Sequence, residues 1–210
     1  MLKAICDASY FPTSPAISGE IILLANKTND VVAPLFWKSK TIAKVCTSSK
    51  DAETRACKKC MTDATYSAER IETMLFGTSR DQHLKVEIYT DSEPLLESIK
   101  STKRVEEKNL FWSIEQMKES LHEETVSCFC YIPTGDNAAD FLTKHKVETP
   151  DFFGIFRFGT FYKATKSKVV KLVKREHAYE IRMFEQGKMR DLSARQREGS
   201  YLASMLSEDY

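Results

Sequence analysis

Leu84-Lys85-Val86-Glu87-Ile88-Tyr89-Thr90-Asp91 alternates apolar and polar side chains with a period of two, the pattern of a half-buried strand, and it finishes on an acid. What stands on either side of it decides the fold. Immediately upstream, Ala56, Cys60, Ala64, Ala68, Ile71 and Leu75 recur every three or four residues, which predicts a helix whose small early residues can pack closely on a sheet. Ser48 and Ser49 offer capping hydroxyls, Asp51 and Glu53 put acids into its first turn, and Gly77 is a natural stop. Further upstream lie three strands, residues 2–8, 18–25 and 31–38, the last two joined by the turn-forming Asn26-Lys27-Thr28-Asn29-Asp30. Pro34 predicts an edge position or a bulge for the third.

Downstream, Ser92 can cap a short helix reaching Ile99, and Leu110, Ile114, Met117 and Leu121 line one face of another. Residues 125–132 read as a fifth strand, Pro133-Thr134-Gly135-Asp136 as a turn, and residues 137–144 as a further helix. The order is three strands in antiparallel succession, then helix, strand, two helices, strand, helix, and few α/β architectures share it.

Composition agrees with a packed domain. The chain has 210 residues, 42% hydrophobic and 29% charged, enough to bury a sizeable core. Only 7 glycines exclude collagen-like and glycine-linker architectures. No apolar run approaches the length of a membrane span, and Asp7 arrives too early for a secretory signal. The expectation is an intracellular protein, cytoplasmic or nuclear, with no membrane partner and with reduced cysteines. Cys57-Lys58-Lys59-Cys60 has zinc half-site spacing, but a closed site needs four ligands, so the six cysteines read as small core hydrophobes.

The net charge of +1 hides a gradient: residues 164–210 carry 10 Lys+Arg against 7 Asp+Glu, and the rest of the chain is net negative. Phe152, Phe153, Phe156, Phe158, Phe161 and Tyr162 crowd one short stretch. Three regions follow: a domain over residues 1–146, an aromatic-rich closing segment over 147–163 packed on it, and a basic, partly helical extension over 164–210.

Four acids stand at informative places: Asp7 near the end of the first strand, Glu53 in the first helix, Asp91 at the end of the fourth strand and Asp140 in the last helix. Any one of them alone reads as a solvated surface acid. Together, carboxylates from two strand ends and two helices concentrate negative charge that a cation must neutralise. Hard oxygen ligands suit Mg²⁺ or Mn²⁺. Two such ions about 3.5–4 Å apart can stabilise both the attacking and the leaving oxygen in phosphodiester hydrolysis.

Five fragments occur in order: Asp7-Ala8-Ser9-Tyr10, Trp37-Lys38-Ser39-Lys40, Ser48-Ser49-Lys50-Asp51-Ala52-Glu53-Thr54, Tyr89-Thr90-Asp91-Ser92 and Asn137-Ala138-Ala139-Asp140-Phe141-Leu142-Thr143-Lys144. Across residues 5–146 they resemble the RNase H domain that closes the polyproteins of copia-type retrotransposons. The resemblance implies an RNase H-like fold: a five-stranded mixed sheet with helices on both faces. It implies cleavage of the RNA strand of an RNA·DNA hybrid by two metal ions, leaving a 3′-hydroxyl and a 5′-phosphate. It maps the metal-binding, catalytic carboxylates onto Asp7, Glu53, Asp91 and Asp140, with Asp136 the weaker choice for the fourth. A reverse transcriptase domain of the same polyprotein is the implied protein partner. One departure is that no histidine stands in residues 131–135, where cellular RNases H place one that helps product release.

For the nucleic acid, Lys38 and Lys40 are candidate phosphate contacts, and Lys100, Lys103 and Arg104 form a basic cluster that could grip the DNA strand. Trp37 reads as core rather than as a stacking platform, and His83, His122, His145 and His177 are not placed to carry chemistry. Two other readings compete: a domesticated or inactive nucleic-acid-binding module, and an integrase-type strand transferase. The four intact carboxylates argue against the first. The Ala-Asp-Phe-Leu-Thr-Lys ending argues against the second.

Overall fold

Residues 2–9 are all buried although Lys3, Asp7 and Ser9 are among them. A strand in that position needs partners on both edges and cover on both faces. The computed structural model of the protein describes residues 1–26, 31–77, 84–101, 103, 107–144, 154–161, 167–174 and 179–186, and shows both. Strand β1 (Leu2–Phe11) pairs antiparallel with β2 (Ser14–Ala25) on one edge and parallel with β4 (Val86–Thr90) on the other. β2 continues antiparallel to β3 (Val32–Thr41), and β4 parallel to β5 (Cys128–Tyr131). This is the expected mixed sheet. Pro34 sits beside a register shift in β3, which is an edge strand.

Helices α1 (Ser49–Phe76), α2 (Glu93–Lys100) and α3 (Lys108–His122) cover one face, where Leu2, Ala4 and Cys6 meet Cys57, Cys60 and Ala64, Leu95 and Leu96, and Ile114 and Met117. The other face is closed by the short α4 (Asp140–Thr143) region and by a π-helical turn, Gly154–Phe158. There Ile5, Ile21 and Tyr89 pack with Ala138, Ala139, Ile155 and Phe161. Phe156 also meets the half-exposed Trp37 edge-on at 4.8 Å, so Trp37 is a rim contact rather than a core residue. α1 starts where expected: Ser48 accepts from the Asp51 N–H, a cap worth about 1 kcal/mol, and Gly77 ends the helix at φ 73°. Ser92 stands at the start of α2 but its side chain makes no capping bond. All six cysteines are buried.

The expected helical character of the extension is corrected for the described part of it. β6 (Ser167–Lys174) pairs antiparallel with β5, and β7 (Tyr179–Gln186) with β6, giving the order β3-β2-β1-β4-β5-β6-β7. The apolar residues at 169, 170, 172 and 173 fit a helical stripe and a two-sided strand equally well. The neighbouring β5 edge decides between them. Val169 joins the core on one face of the sheet and Val170 the core on the other, which consecutive residues can do only in a strand. Phe152, Phe153, Tyr162, Arg104, His83, His145, His177 and residues 187–210 lie outside the described residues. Among the described residues no helix is long and apolar enough to cross a membrane.

One backbone approach holds α4 against the sheet. A Cβ added to Gly19 would lie 2.9 Å from the Ala139 carbonyl oxygen, from Leu142 Cβ and from Thr143 Cγ2. Gly19 pairs with Asp7 across β1 and β2, so this contact lies beside the acidic site. Gly19→Ala is therefore expected to cost about 1–3 kcal/mol, read as a lowered urea midpoint at unchanged m-value.

Candidate metal centre

Parallel pairing of β1 with β4 sets Ile5 opposite Tyr89, and two residues further along each strand come Asp7 and Asp91. Register alone thus makes two carboxylates neighbours. The third depends on how closely α1 can approach. Ala8 and Ala16 of the sheet pack with Ala52 and Ala56 of the helix, and these small side chains seat the first turns of α1 directly on β1. Glu53 is carried in with them. Carboxylate oxygens of Asp7, Glu53 and Asp91 lie within 4.8 Å of one another.

Burial makes this arrangement electrostatically costly. Asp7 is 1% exposed and Glu53 8%. Desolvation first, then the charges of Asp140 and Asp91, raise the Asp7 carboxyl to about 7, against a lowering hydrogen bond from Thr143. Desolvation, then Asp7 and Asp91, raise Glu53 to about 10. Asp91 is also raised, by burial and by Asp140, while the Thr134 hydroxyl, donating to its Oδ2 at 2.8 Å, works the other way. Glu53 Oε2 is buried with no hydrogen-bond partner among the described residues. Three converging oxygen donors, one of them orphaned, fit a hard divalent cation.

Asp140 is placed differently. It is 4% exposed, and its charge is felt at Asp7 and Asp91, but it is not part of the three-carboxylate cluster. Both of its oxygens accept from Lys144 Nζ at 2.8 Å. The half-buried Asp136, in a single 3₁₀ turn (Thr134–Asp136), stands outside the cluster too.

Four residues around the acids carry no role in the sequence reading. Thr143 Oγ1 donates to Asp7 Oδ2, and Thr134 does the same service for Asp91. Asn137, fully buried, donates to the Cys6 carbonyl at 3.2 Å and accepts from the Ala139 N–H at 3.1 Å, tying the start of α4 to β1 one residue before Asp7. Lys144 is the counter-ion of Asp140. Three of the four belong to the fragment from Asn137 to Lys144, and that fragment is the signal that points to them.

The basic candidates are dispersed. Lys38 is held by Glu20 at 2.8 Å and Asp63 at 3.4 Å, so its charge is spent inside the protein. Lys40 is exposed on the edge strand. Lys100 pairs with Glu97 at 3.8 Å, and Lys103 is exposed.

No protein-family model matches the sequence, and no curated protein matches it significantly. Among solved structures the chain is similar to LC11-RNase H1 in complex with an RNA/DNA hybrid, a protein isolated from compost by a metagenomic approach. The identity is 20%, the TM-score 0.48, and 68% of this chain and 93% of that one are covered. It is also similar to the N-terminal RNase H domain of a Mycobacterium tuberculosis protein, at 16% identity and TM-score 0.49 over 68% of this chain and 89% of that one. The RNase H1 of the halophilic archaeon Halobacterium salinarum is similar at 14% identity and TM-score 0.47, over 66% of this chain and 89% of that one.

The raised carboxyls fix a pH dependence. A carboxyl whose folded pKa lies above its unfolded value leaves the folded state holding more protons, so its stabilising effect is complete below the unfolded value and is lost as pH rises through the folded one. For Asp7 that window runs from about 4 to about 7, and for Glu53 it extends to about 10. In chelator, the melting temperature should fall from pH 5 to pH 8 by roughly 5 °C or more, since each kcal/mol moves a chain of this size by about 2–4 °C. Mg²⁺ should restore it at pH 8 and do little at pH 5. Glu53→Gln should flatten the chelator profile.

Proposed function

We propose that this protein is an endoribonuclease of the RNase H type, cutting the RNA strand of RNA·DNA hybrids, and that it derives from a retroelement. One observation supports the nuclease reading above the others: Asp7, Glu53 and Asp91 converge to within 4.8 Å from two parallel strands and a helix, with one carboxylate oxygen left unpartnered among the described residues. In this reading these three residues hold the divalent cation, and Asp140 completes a second site. Mg²⁺ or Mn²⁺, when bound, supplies positive charge that stabilises the attacking and leaving oxygens of a phosphodiester.

The chain's own residues then have separable tasks. Asp7, Glu53 and Asp91 present negative charge from rigid elements, so the site is organised before substrate arrives. Thr143 and Thr134 each fix one oxygen of Asp7 and Asp91 and so set how those carboxylates are turned. Lys144 neutralises Asp140, which limits repulsion between the acids and an incoming phosphate. Lys40, Lys100, Lys103 and Arg104 are the proposed contacts to the hybrid backbone. Selection of the hybrid rests on the 2′-hydroxyls of one strand beside a DNA partner. A reverse transcriptase domain of the same polyprotein is the proposed protein partner.

A binding module without cleavage is the second reading, favoured by the grip of Lys144 on both oxygens of Asp140. An end-labelled RNA·DNA hybrid with Mg²⁺ separates the two. The expected result is cleavage of the RNA strand only, with duplex RNA and duplex DNA left intact. Binding of the hybrid without any product would establish the module instead.

Within the nuclease reading, Asp91→Asn is expected to reduce cleavage at least a thousandfold, on the order of 4 kcal/mol of transition-state stabilisation, while hybrid binding and folding persist. Asp140→Asn should be similarly impaired and Asp136→Asn close to wild type. Single-turnover cleavage and gel-shift binding on the same preparations check all three. Full Mg²⁺-dependent activity in Asp91→Asn would end the metal-site assignment.

A further inference from the structure

α1 has two chemically opposite sides. Glu53 points to the acidic cluster, whereas Arg55, Lys58, Lys59 and Thr62 lie roughly 140–240° around the helix from it, at about 100° per residue. That far side faces the start of α3 across a groove of about 570 Å³, within the size range of small-ligand sites. Lys44, Arg55, Lys58 and Lys59 line it together with Asn109 and Trp112, and no acid among the described residues does.

The charges in the groove are not equivalent. Arg55 is paired with Asp51 at 2.6 Å, and Lys59 with Asp63. Among the described residues Lys44 and Lys58 have no acidic partner, so two cations face the groove uncompensated. Trp112 is 72% exposed, an unusual position for a large indole, and is steadied at one side by Phe111, edge-on at 5.2 Å. A ring held with a free face, flanked by uncompensated lysines and amide and hydroxyl groups, matches the way unpaired nucleotides are bound: base on aromatic, phosphate on cation. A base inside a duplex already has neighbours on both faces and has no face to offer Trp112.

We propose that the groove between α1 and α3 is a second nucleic-acid site, which binds unpaired nucleotides of a single strand by stacking on Trp112 and by phosphate contacts from Lys44 and Lys58. It lies on the opposite side of α1 from the acidic cluster and does not depend on cleavage there. A single-stranded overhang of a hybrid could engage it while the paired part lies elsewhere, adding affinity through linkage of two sites.

The test uses the full chain in chelator, so that no cutting occurs and a protein without nuclease activity reports equally well. Binding of a fluorescein-labelled oligothymidylate is followed by anisotropy against salt concentration. Trp112→Ala is expected to weaken binding about tenfold or more, and Trp112→Phe, which keeps a stacking face, to retain most of it. The Lys44→Glu, Lys58→Glu double variant should weaken it and reduce the salt slope by about 0.7 for each phosphate no longer neutralised. All three variants should melt like wild type and cut a blunt hybrid, if wild type cuts it, within about twofold of wild type. Unchanged oligothymidylate affinity in Trp112→Ala would overturn the proposal. So would displacement of the oligonucleotide by an equal concentration of polyglutamate, which would mark the groove as a dock for acidic protein. Loss of blunt-hybrid binding in the double variant, with single-strand binding intact, would overturn it as well and assign the lysines to the hybrid.

Discussion

The structure depends on a strand that is buried on both faces and yet carries a carboxylate. β1 has neighbours on each edge and helices or loop segments above and below, so Asp7 cannot reach bulk water. Desolvating an ion in this way is expensive, and the protein raises the cost by placing Glu53 and Asp91 beside it. Much of the surrounding architecture answers that cost. Thr143 and Thr134 donate hydroxyl hydrogens, Lys144 compensates Asp140, and Asn137 ties the chain segment bearing them to the carbonyl of Cys6. What remains uncompensated is one oxygen of Glu53 and the mutual repulsion of three acids, which is the electrostatic description of a cation site.

The other charged residue of β1 shows the alternative solution. Lys3 is also fully buried, but it is balanced internally: Tyr89 Oη accepts from it at 3.3 Å, Glu87 lies at 3.9 Å, and the Phe161 ring sits 4.7 Å from its ammonium. One strand thus carries a closed charge network toward its beginning and an open one toward its end. Only the open one leaves a buried carboxylate oxygen without a partner beside two other acids. The closing segment matters in the same way. Ile155 and Phe161 seal the face on which Lys3 and Asp7 lie, so residues beyond the last acidic helix shape the environment of the first strand.

α1 organises charge on a larger scale. Its sheet-facing side is built from alanines and cysteines that permit close packing, and it carries Glu53 into the carboxylate cluster. Its outer side is basic and borders an exposed indole. A net charge near zero therefore conceals local fields of opposite sign on two sides of one helix, which whole-chain arithmetic averages away.

Local pattern was sufficient for the elements as far as α4. The period-two run into Asp91, the small-residue stripe of α1 with its Ser48 cap and Gly77 stop, and the order of strands and helices are each written in a few neighbouring residues, because hydrogen-bond geometry and side-chain periodicity act over short sequence distances. The same locality made Asp7, Glu53, Asp91 and Asp140 visible as acids at strand ends and helix starts. What only the tertiary structure decided is how they are shared out. Parallel register and close helix seating bring three of them together, while Lys144, one turn after Asp140, takes the fourth. Residues 167–174 followed the same rule from the other direction: their apolar spacing suits helix or strand, and the open edge of β5, more than thirty residues earlier, made them a strand on which β7 then pairs. Sequence determines what each segment can become; which option is taken, and which charges end up facing one another without water between them, is set by long-range partners that no local window contains.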